Sequence, residues 1–215
     1  MNWILDHLPE IGALAVQHAM LAGVPLAIGL ALSIPLGWWA QGSGRARPIL
    51  LTGTGLLYTI PSLALFVLLP ALLGTRILDP INVIVAMTVY TVALLVRSVA
   101  DGLSAVPDEV TAAAAAMGYG RLARLLRVEL PLAVPVIAAG LRVAAVTNVS
   151  MVSVASLIGV SQLGTLLTDG YARAYYTELL TGVVACILLA LLFDLAIQAV
   201  AAALTPWRRV GRGAT

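Results

Sequence analysis

Five apolar segments occupy most of this 215-residue chain, and each is longer than the roughly 20 residues that an α-helix needs to cross the hydrocarbon core of a bilayer. Hydrophobic residues make up 61% of the chain and charged residues only 10%, whereas a soluble domain carries about 25% charged residues. The sequence therefore predicts an all-α polytopic membrane protein with a single transmembrane domain over residues 1–215. The five predicted spans are residues 11–40, 49–73, 81–103, 132–158 and 179–204.

Arginine supplies all 12 basic residues, and its distribution orients the predicted spans. Connections rich in arginine stay on the cytoplasmic side of a membrane. Arginines follow the first, third and fifth spans: Arg45, Arg47, Arg121, Arg124, Arg127, Arg208, Arg209 and Arg212. The opposite side carries Asp6, Glu10, Arg76, Asp79, Asp169, Arg173 and Glu178. We therefore expect the amino terminus outside and the carboxyl terminus in the cytoplasm.

Several other classes of protein are excluded by what the chain lacks. Asp6 and Glu10 stand where a signal peptide would be basic, so we expect no cleavable signal peptide; we also expect no fused soluble domain. A single cysteine, Cys186, and two histidines exclude a disulfide framework and a cysteine-rich metal site. The absence of lysine excludes a Walker-type phosphate loop, and a net charge of +2 is too small to indicate nucleic-acid binding. The sequence predicts no catalytic residues, no metal and no cofactor.

Residues 107–131 form the longest polar connection and have the pattern of two short helices. Residues 112–117 are strong helix formers, and Gly118 and Gly120 then permit a sharp change of direction. Helical periodicity resumes over residues 121–129, and we expect it to end at Leu130 and Pro131 because the residue before a proline disfavours the helical region. The second helix is expected to place Leu122, Leu125 and Leu126 on one face and Arg121, Arg124 and Arg127 on another. An interfacial helix whose arginines face lipid phosphates is the alternative.

This connection resembles the cytoplasmic EAA loop by which the permease subunit of a binding-protein-dependent ABC importer contacts its ATPase. Ala113 and Ala114 match the two alanines of the family pattern, and Gly118 matches its glycine. Leu130 and Pro131 match its terminal pair, whereas the family glutamate is replaced by alanine at position 112. The resemblance implies a transport subunit in a bacterial or archaeal cell (inner) membrane that is not itself an enzyme. It also implies as partners two ATPase subunits, a second copy or similar permease and an extracytoplasmic solute-binding protein, and as ATPase-coupling residues Ala113, Ala114, Gly118, Arg121, Arg124, Arg127, Leu130 and Pro131.

Two further stretches are similar to osmoprotectant permeases, the importers of glycine betaine, choline and carnitine. Residues 59–65, TIPSLAL, resemble a run in the second span of that branch. Residues 154–164, VASLIGVSQLG, resemble its segment after the fourth span, although Ser161 and Gln162 replace two glycines. Arg142 and Asp194 also match positions where that branch has these residues. The implied function is osmoprotectant import; permeases for methionine or another amino acid and an ion-driven secondary transporter remain as alternatives.

A translocation path through the spans should carry polar groups and breaks in the helices. Pro61 is expected to kink the second span, either for packing or for a role in the path. Asn148 and Tyr90 are path candidates because their polar groups need partners in hydrocarbon. The residues predicted to lie along the path are Tyr58, Pro61, Ser62, Tyr90, Asn148, Ser150 and Ser153. The few aromatic residues form no visible cage for a quaternary ammonium solute.

Three charged residues fall inside predicted spans, where an ionised side chain is costly unless it is paired or near an end. These residues are Arg97, Arg142 and Asp194. We expect a structural ion pair between Asp194 and one of the two arginines, with a proton relay as the alternative. His18, in the first span, is expected to be a helix-packing or interfacial residue.

Overall fold

The computed structural model describes residues 2–44 and 46–207, and every regular element within these ranges is helical. The elements are α1 (Asn2–Asp6), α2 (Leu8–Gly42), α3 (Ala46–Tyr58), α4 (Ser62–Leu73), α5 (Pro80–Ser104), α6 (Asp108–Ala116), α7 (Arg121–Arg124), a π-helical turn (Leu125–Glu129), α8 (Leu130–Ser153), a 3-10 turn (Val154–Ile158), α9 (Gly164–Ala172) and α10 (Tyr176–Leu204). The predicted all-α class is confirmed. Four arginines used to orient the chain, Arg45, Arg208, Arg209 and Arg212, lie outside the described residues.

In the described part of the chain, four continuous helical stretches are long and apolar enough to cross a membrane: Leu8–Gly42, Pro80–Ser104, Arg121–Ile158 and Tyr176–Leu204. They contain the first, third, fourth and fifth predicted spans. The second predicted span, residues 49–73, is not one helix but a bent pair, Arg47–Tyr58 and Ser62–Leu73, that meet at 98°. Residues 2–44 and 46–207 therefore contain up to five candidate spans if this bent pair counts as one.

Pro61 lies between the two helices of the bent pair. A simple kink would require Pro61 to lie inside one continuous helix. It occupies the position before the first residue of α4 with an extended backbone (φ −61°, ψ 131°). Proline has no N–H and disfavours the helical region at the residue before it, Ile60, so the helix does not continue through this point. The result is a break of three residues between α3 and α4.

Helix α5 is at the centre of the bundle. More than half of the residues in its most apolar stretch are buried, whereas only 11% of those in the corresponding stretch of α10 are buried. It packs on α2, α8, α3 and α4. Small residues let these helices approach closely: a Cβ atom added to Gly37 of α2 would lie 2.6 Å from Cγ1 of Val99 in α5. Large residues at such contacts would force α2 and α5 apart.

A buried polar cluster joins α2, α5 and α8 in the middle of the bundle. The Asn148 amide nitrogen donates to the Ala22 carbonyl oxygen at 3.2 Å and lies 2.9 Å from Oγ1 of Thr91. Thr91 in turn donates to the Met87 carbonyl oxygen at 2.7 Å. Ala22 is one turn before Pro25, where the missing N–H of proline loosens the helix. In hydrocarbon such groups must find partners within the protein, so the cluster fixes the rotation of three helices about their axes.

A second buried polar cluster holds the segment after α8 against α2. Oε1 of Gln162 accepts from the Gly164 backbone N–H at 2.5 Å and lies 2.8 Å from Nδ1 of His18. Nε2 of Gln162 donates to the Ser153 carbonyl oxygen at 3.2 Å, and Nε2 of His18 lies 2.9 Å from the Val149 carbonyl oxygen. His18 and Gln162 are both fully buried. Gln162, which stands where the similar permeases have glycine, is therefore the residue that His18 contacts.

Contacts between distant residues define the two ends of the bundle. At one end, Trp3 packs edge-on against Tyr175, which precedes α10. At the other end, Arg47 at the start of α3 pairs with Asp101 near the end of α5, at 3.0 Å. The second end also holds α6, α7 and the start of α8, and we call it the coupling end.

Replacing Gln162 by alanine should lower the stability of the fold. The change leaves Nδ1 of His18 and the Gly164 N–H without their buried partner, and each such loss costs about 1–3 kcal/mol. For a chain of this size the two losses together should lower the midpoint of thermal unfolding in detergent by about 4–24 °C. Ser161→Ala is the matched control, because Ser161 is exposed; equal midpoints for the two variants would contradict the role of Gln162.

Candidate coupling segment and membrane path

We call residues 107–131 the coupling segment. Its first helix, α6, has sequence features typical of a helix start and of a helix end. Pro107 precedes it, and Asp108 and Glu109 occupy its first turn, where acidic side chains interact favourably with the helix dipole. At its end Gly118 has φ +86°, and its N–H donates to the Ala115 carbonyl oxygen at 3.0 Å. The next N–H, of Tyr119, donates to the Ala114 carbonyl oxygen at 3.1 Å. This is a Schellman-type ending, in which glycine is favoured because it has no Cβ.

The second helix of the segment does not end at Leu130 and Pro131, so that expectation is wrong. Helix α7 continues through the π-helical turn Leu125–Glu129 into α8, as one helix over Arg121–Ile158. In the π turn, the Leu130 N–H donates five residues back, to the Leu125 carbonyl oxygen. Because of this wider turn, the helix does not depend on the usual hydrogen bond four residues back, which Pro131 cannot donate because it has no N–H. The turn also leaves room for the pyrrolidine ring. A sequence rule for helix ends thus fails where a π turn intervenes.

The three arginines of the segment do not form one exposed row. Nε of Arg124 contacts Oε1 of Glu129 at 2.6 Å, and Glu129 is only 2% exposed. Arg121 and Arg127 are exposed, and neither pairs with an acidic side chain among residues 2–44 and 46–207. Arg124 is therefore occupied by a contact within the chain, which the spacing of the arginines did not indicate.

The leucines of the segment are also divided. Leu125 is buried and packs with Val99 and Leu103 of α5. Leu122 and Leu126 are more than half exposed, as is Met117 beside the Gly118 turn. The extra residue of the π turn rotates the positions that follow it relative to an ideal helix. The exposed surface of the segment therefore combines Met117, Leu122 and Leu126 with the two arginines that have no acidic partner among the described residues. Of the two alanines predicted to contact the ATPase, Ala113 is exposed and Ala114 is buried.

The break between α3 and α4 is closed by a tyrosine from α5. The hydroxyl of Tyr90 donates to the Ile60 carbonyl oxygen at 2.5 Å. The ring of Tyr90 is fully buried and meets the ring of Tyr58 edge-on, with centroids 5.8 Å apart. Tyr90 therefore satisfies a carbonyl group that the break removes from the helix. Pro61 is exposed and Ser62 half-buried on the outer side of the break.

The other residues predicted for the path lie on α8. Asn148 is inside the buried polar cluster with Thr91 and Ala22. Ser150 is exposed and Ser153 half-buried, and both line a groove of about 280 Å³ that faces α10. The structure thus brings together Tyr58, Pro61, Ser62 and Tyr90 at the break, and Ser150 and Ser153 at the groove. It places these two groups on different elements of the chain.

Asp194 pairs with Arg142 and not with Arg97. Nε and Nη2 of Arg142 contact the two carboxylate oxygens of Asp194 at 2.5 and 3.0 Å, and Gln198 donates to the same carboxylate at 2.6 Å. The bidentate geometry is the strong form of this interaction, and it joins α8 to α10. In the described part of the chain no group of three His, Cys, Asp or Glu residues is arranged to hold a metal ion.

Comparison with known proteins agrees with this architecture. The family of binding-protein-dependent transport system inner membrane components matches residues 23–210. The chain belongs to this family. It is therefore a membrane component of a transport system and not an enzyme, as the sequence predicted.

Individual relatives extend the comparison. The osmoprotectant import permease protein OsmW of Salmonella typhimurium is 32% identical over 96% of this chain and 97% of its own length. The glycine betaine/carnitine/choline permease OpuCD of Bacillus subtilis is 28% identical over 90% of this chain and 80% of its own length. Among solved structures, an inward-facing MetNI methionine ABC transporter chain matches with a TM-score of 0.83 at 20% identity, covering 93% of this chain and 98% of that one. That likeness shows the permease fold.

Replacing Gly118 by valine should destabilise the turn between α6 and α7. A β-branched residue at positive φ is strongly disfavoured, with a cost of at least about 1–2 kcal/mol. We expect faster proteolytic cleavage near residue 118 and a slower transport rate, with normal insertion into the membrane. Gly120→Val is the matched control: Gly120 has φ −66°, and both glycines have open space around a built Cβ. Equal cleavage and transport in the two variants would contradict the turn role.

Proposed function

We propose that this chain is the membrane-spanning subunit of an ATP-driven importer of osmoprotectants such as glycine betaine, choline or carnitine. The 32% identity to OsmW over nearly the full length of both chains carries the proposal. The carnitine permease OpuCB of Listeria monocytogenes, 26% identical over 88% of this chain, adds support. The methionine transporter shares the fold at only 20% identity, so import of methionine or another amino acid is the second candidate.

The coupling segment supports docking of separate ATPase subunits. Met117, Leu122 and Leu126 expose apolar surface beside the free charges of Arg121 and Arg127. Exposed apolar groups flanked by arginine are typical of protein interfaces. We propose that two ATPase subunits bind here and at the equivalent surface of a second copy or a similar permease. A solute-binding protein would act at the opposite end.

We propose that the break and the α8 groove contribute to the translocation path. Tyr90 and Asn148 are satisfied within the chain, so they would hold the wall of the path in position. Pro61, Ser62 and the two serines at positions 150 and 153 would then offer the exposed groups. The exposed groups at the break and at the groove are polar side chains or irregular backbone. Membrane proteins tolerate such groups where they line a cavity.

The proposed substrate class predicts a specific uptake pattern. A strain that depends on this system should take up labelled glycine betaine, choline or carnitine, and uptake should rise at high osmolarity. Labelled methionine, supplied in parallel, should not accumulate above the level of a strain without the system. Uptake of methionine alone would contradict the osmoprotectant assignment while leaving the family unchanged.

We propose the orientation that the arginines indicate, with the amino terminus outside and the carboxyl terminus in the cytoplasm. Two single-cysteine variants test it in a background in which Cys186 is replaced by alanine. Asn2→Cys should react with a membrane-impermeant thiol reagent applied to intact cells, and Val210→Cys should react only after the cells are opened. The reverse pattern would invert the orientation and place the coupling segment outside.

The free arginines of the coupling segment should contribute to ATPase binding more than Arg124 does. Truncating a charge at a buried interface costs roughly 2–5 kcal/mol, whereas exposed pairs contribute only about 0–1 kcal/mol. The double variant Arg121→Ala and Arg127→Ala should lose at least about tenfold in affinity for the ATPase, which corresponds to 1.4 kcal/mol. Co-purification at two salt concentrations measures this. The control is the double variant Arg124→Ala and Glu129→Ala, which removes an internal pair; full retention of the ATPase by the Arg121 and Arg127 variant would favour lipid phosphate as the partner.

A further inference from the structure

Arg97 differs from every other described arginine in its combination of position and environment. Four described arginines pair with acidic side chains: Arg47, Arg124, Arg142 and Arg173. Of the described arginines without an acidic partner, Arg76, Arg121 and Arg127 lie outside the predicted spans. Among the described arginines without an acidic partner, Arg97 alone lies inside a predicted span, on α5 and seven residues before the end of that helix. Its side chain is exposed, although α5 is the most buried of the four long helices.

The acid that could neutralise Arg97 within α5 is already occupied. Asp101 is four residues later, the spacing that favours a pair on a helix surface. Its carboxylate instead contacts Nη2 of Arg47 at 3.0 Å, and the same guanidinium reaches Ser104 at 3.4 Å. Asp101 is therefore paired with Arg47, and Arg97 has no acidic partner among the described residues.

The surface of α5 that carries Arg97 extends from the break between α3 and α4 to the coupling end. With 3.6 residues per turn, positions 90, 97 and 104 lie on one face of α5. Tyr90 contacts Ile60 at the break, and Asp101, beside this face, contacts Arg47 at the start of α3. Arg97 is thus about 10 Å along α5 from the tyrosine that closes the break. It lies on the side of α5 to which α3 is attached.

An exposed, unpaired guanidinium within an apolar span is unfavourable against lipid tails. Charged side chains inside membrane segments face a water-filled cavity or a partner in nearly all cases, and they mark solute and ion paths. Arg142, the other described arginine inside a predicted span, follows this rule by its bidentate pair with Asp194. Arg97 requires either water or a carboxylate from outside the described residues.

We propose that Arg97 faces the aqueous translocation path and binds the carboxylate of a zwitterionic solute as the solute passes. The proposal rests on the proposed function and narrows it to carboxylate-bearing solutes such as glycine betaine and carnitine. A planar guanidinium binds a carboxylate through two parallel hydrogen bonds, a geometry that an ammonium group cannot reproduce. Choline, which has no carboxylate, gains nothing from this contact.

The first test asks whether position 97 meets water in the assembled importer. Arg97→Cys, in a background with Cys186 replaced by alanine, should react with a small water-soluble thiol reagent in membrane vesicles. Leu195→Cys is the matched control, because Leu195 is exposed, apolar and nine residues before the end of α10. We expect position 97 to react at least about tenfold faster; equal rates at the two positions would overturn the proposal.

The second test separates a solute carboxylate from a carboxylate of the second permease. Arg97→Gln should reduce uptake of glycine betaine at least about tenfold, while choline uptake stays within about twofold and the complex remains intact on size-exclusion chromatography. Arg97→Lys, which keeps the charge without the planar fork, should give an intermediate rate for glycine betaine. A parallel loss of both solutes, dissociation of the complex, or unchanged uptake of glycine betaine would overturn the proposal. A parent that imports none of these solutes contradicts the proposed function instead, and the thiol experiment still decides whether position 97 lies in water.

Discussion

Two irregular stretches in the described part of the chain depend on one constraint, that polar backbone groups withdrawn from water must find partners inside the protein. The break between α3 and α4 exposes the Ile60 carbonyl oxygen, and Tyr90 from α5 supplies the donor. The segment after α8 leaves the helical path, and Gln162 binds the groups on both sides of it while contacting His18. Side chains distant in sequence thus replace the hydrogen bonds that a helix would have supplied locally. The positions at which the chain departs from helix are therefore set by tertiary contacts as much as by proline and glycine.

The class and the approximate helix positions follow from hydropathy alone, because a segment of that length and composition has few alternatives in a membrane. The glycine turn after α6 was equally accessible, since Gly118 stands directly after a run of alanines and its φ of +86° is one that glycine adopts most readily. Proline was less informative. The sequence predicts a kink at Pro61, where the chain instead breaks into two helices. It also incorrectly predicts a helix end before Pro131, because the π turn at Leu125–Glu129 changes which hydrogen bond the proline would lose. Single-residue preferences do not report such turns.

The partners of the candidate functional residues were also only partly predictable from the sequence. The arginine spacing at positions 121, 124 and 127 suggested one charged face, but Glu129 withdraws Arg124 from that face. The choice between Arg97 and Arg142 as partner for Asp194 required the packing of α8 against α10. Gln162 did carry a signal, because it departs from the glycine of similar permeases, and the residue that explains it lies 144 positions earlier at His18. Pairs separated this far in sequence are fixed by the assembled bundle.

The continuity of α7 with α8 has a mechanical consequence. Arg121–Ile158 forms one helix of 38 residues, which at 1.5 Å per residue is a lever of about 57 Å. Its short arm, before Leu125, carries the exposed Leu122, and its long arm carries Asn148, Ser150 and Ser153. A tilt of about 5° around Leu125 would move the far tip by about 4 Å, given the rise per residue of a helix. The Gly118 turn separates α6 from this helix, so a force applied to residues 121–124 would be carried along the helix to its far end without a relay of side chains.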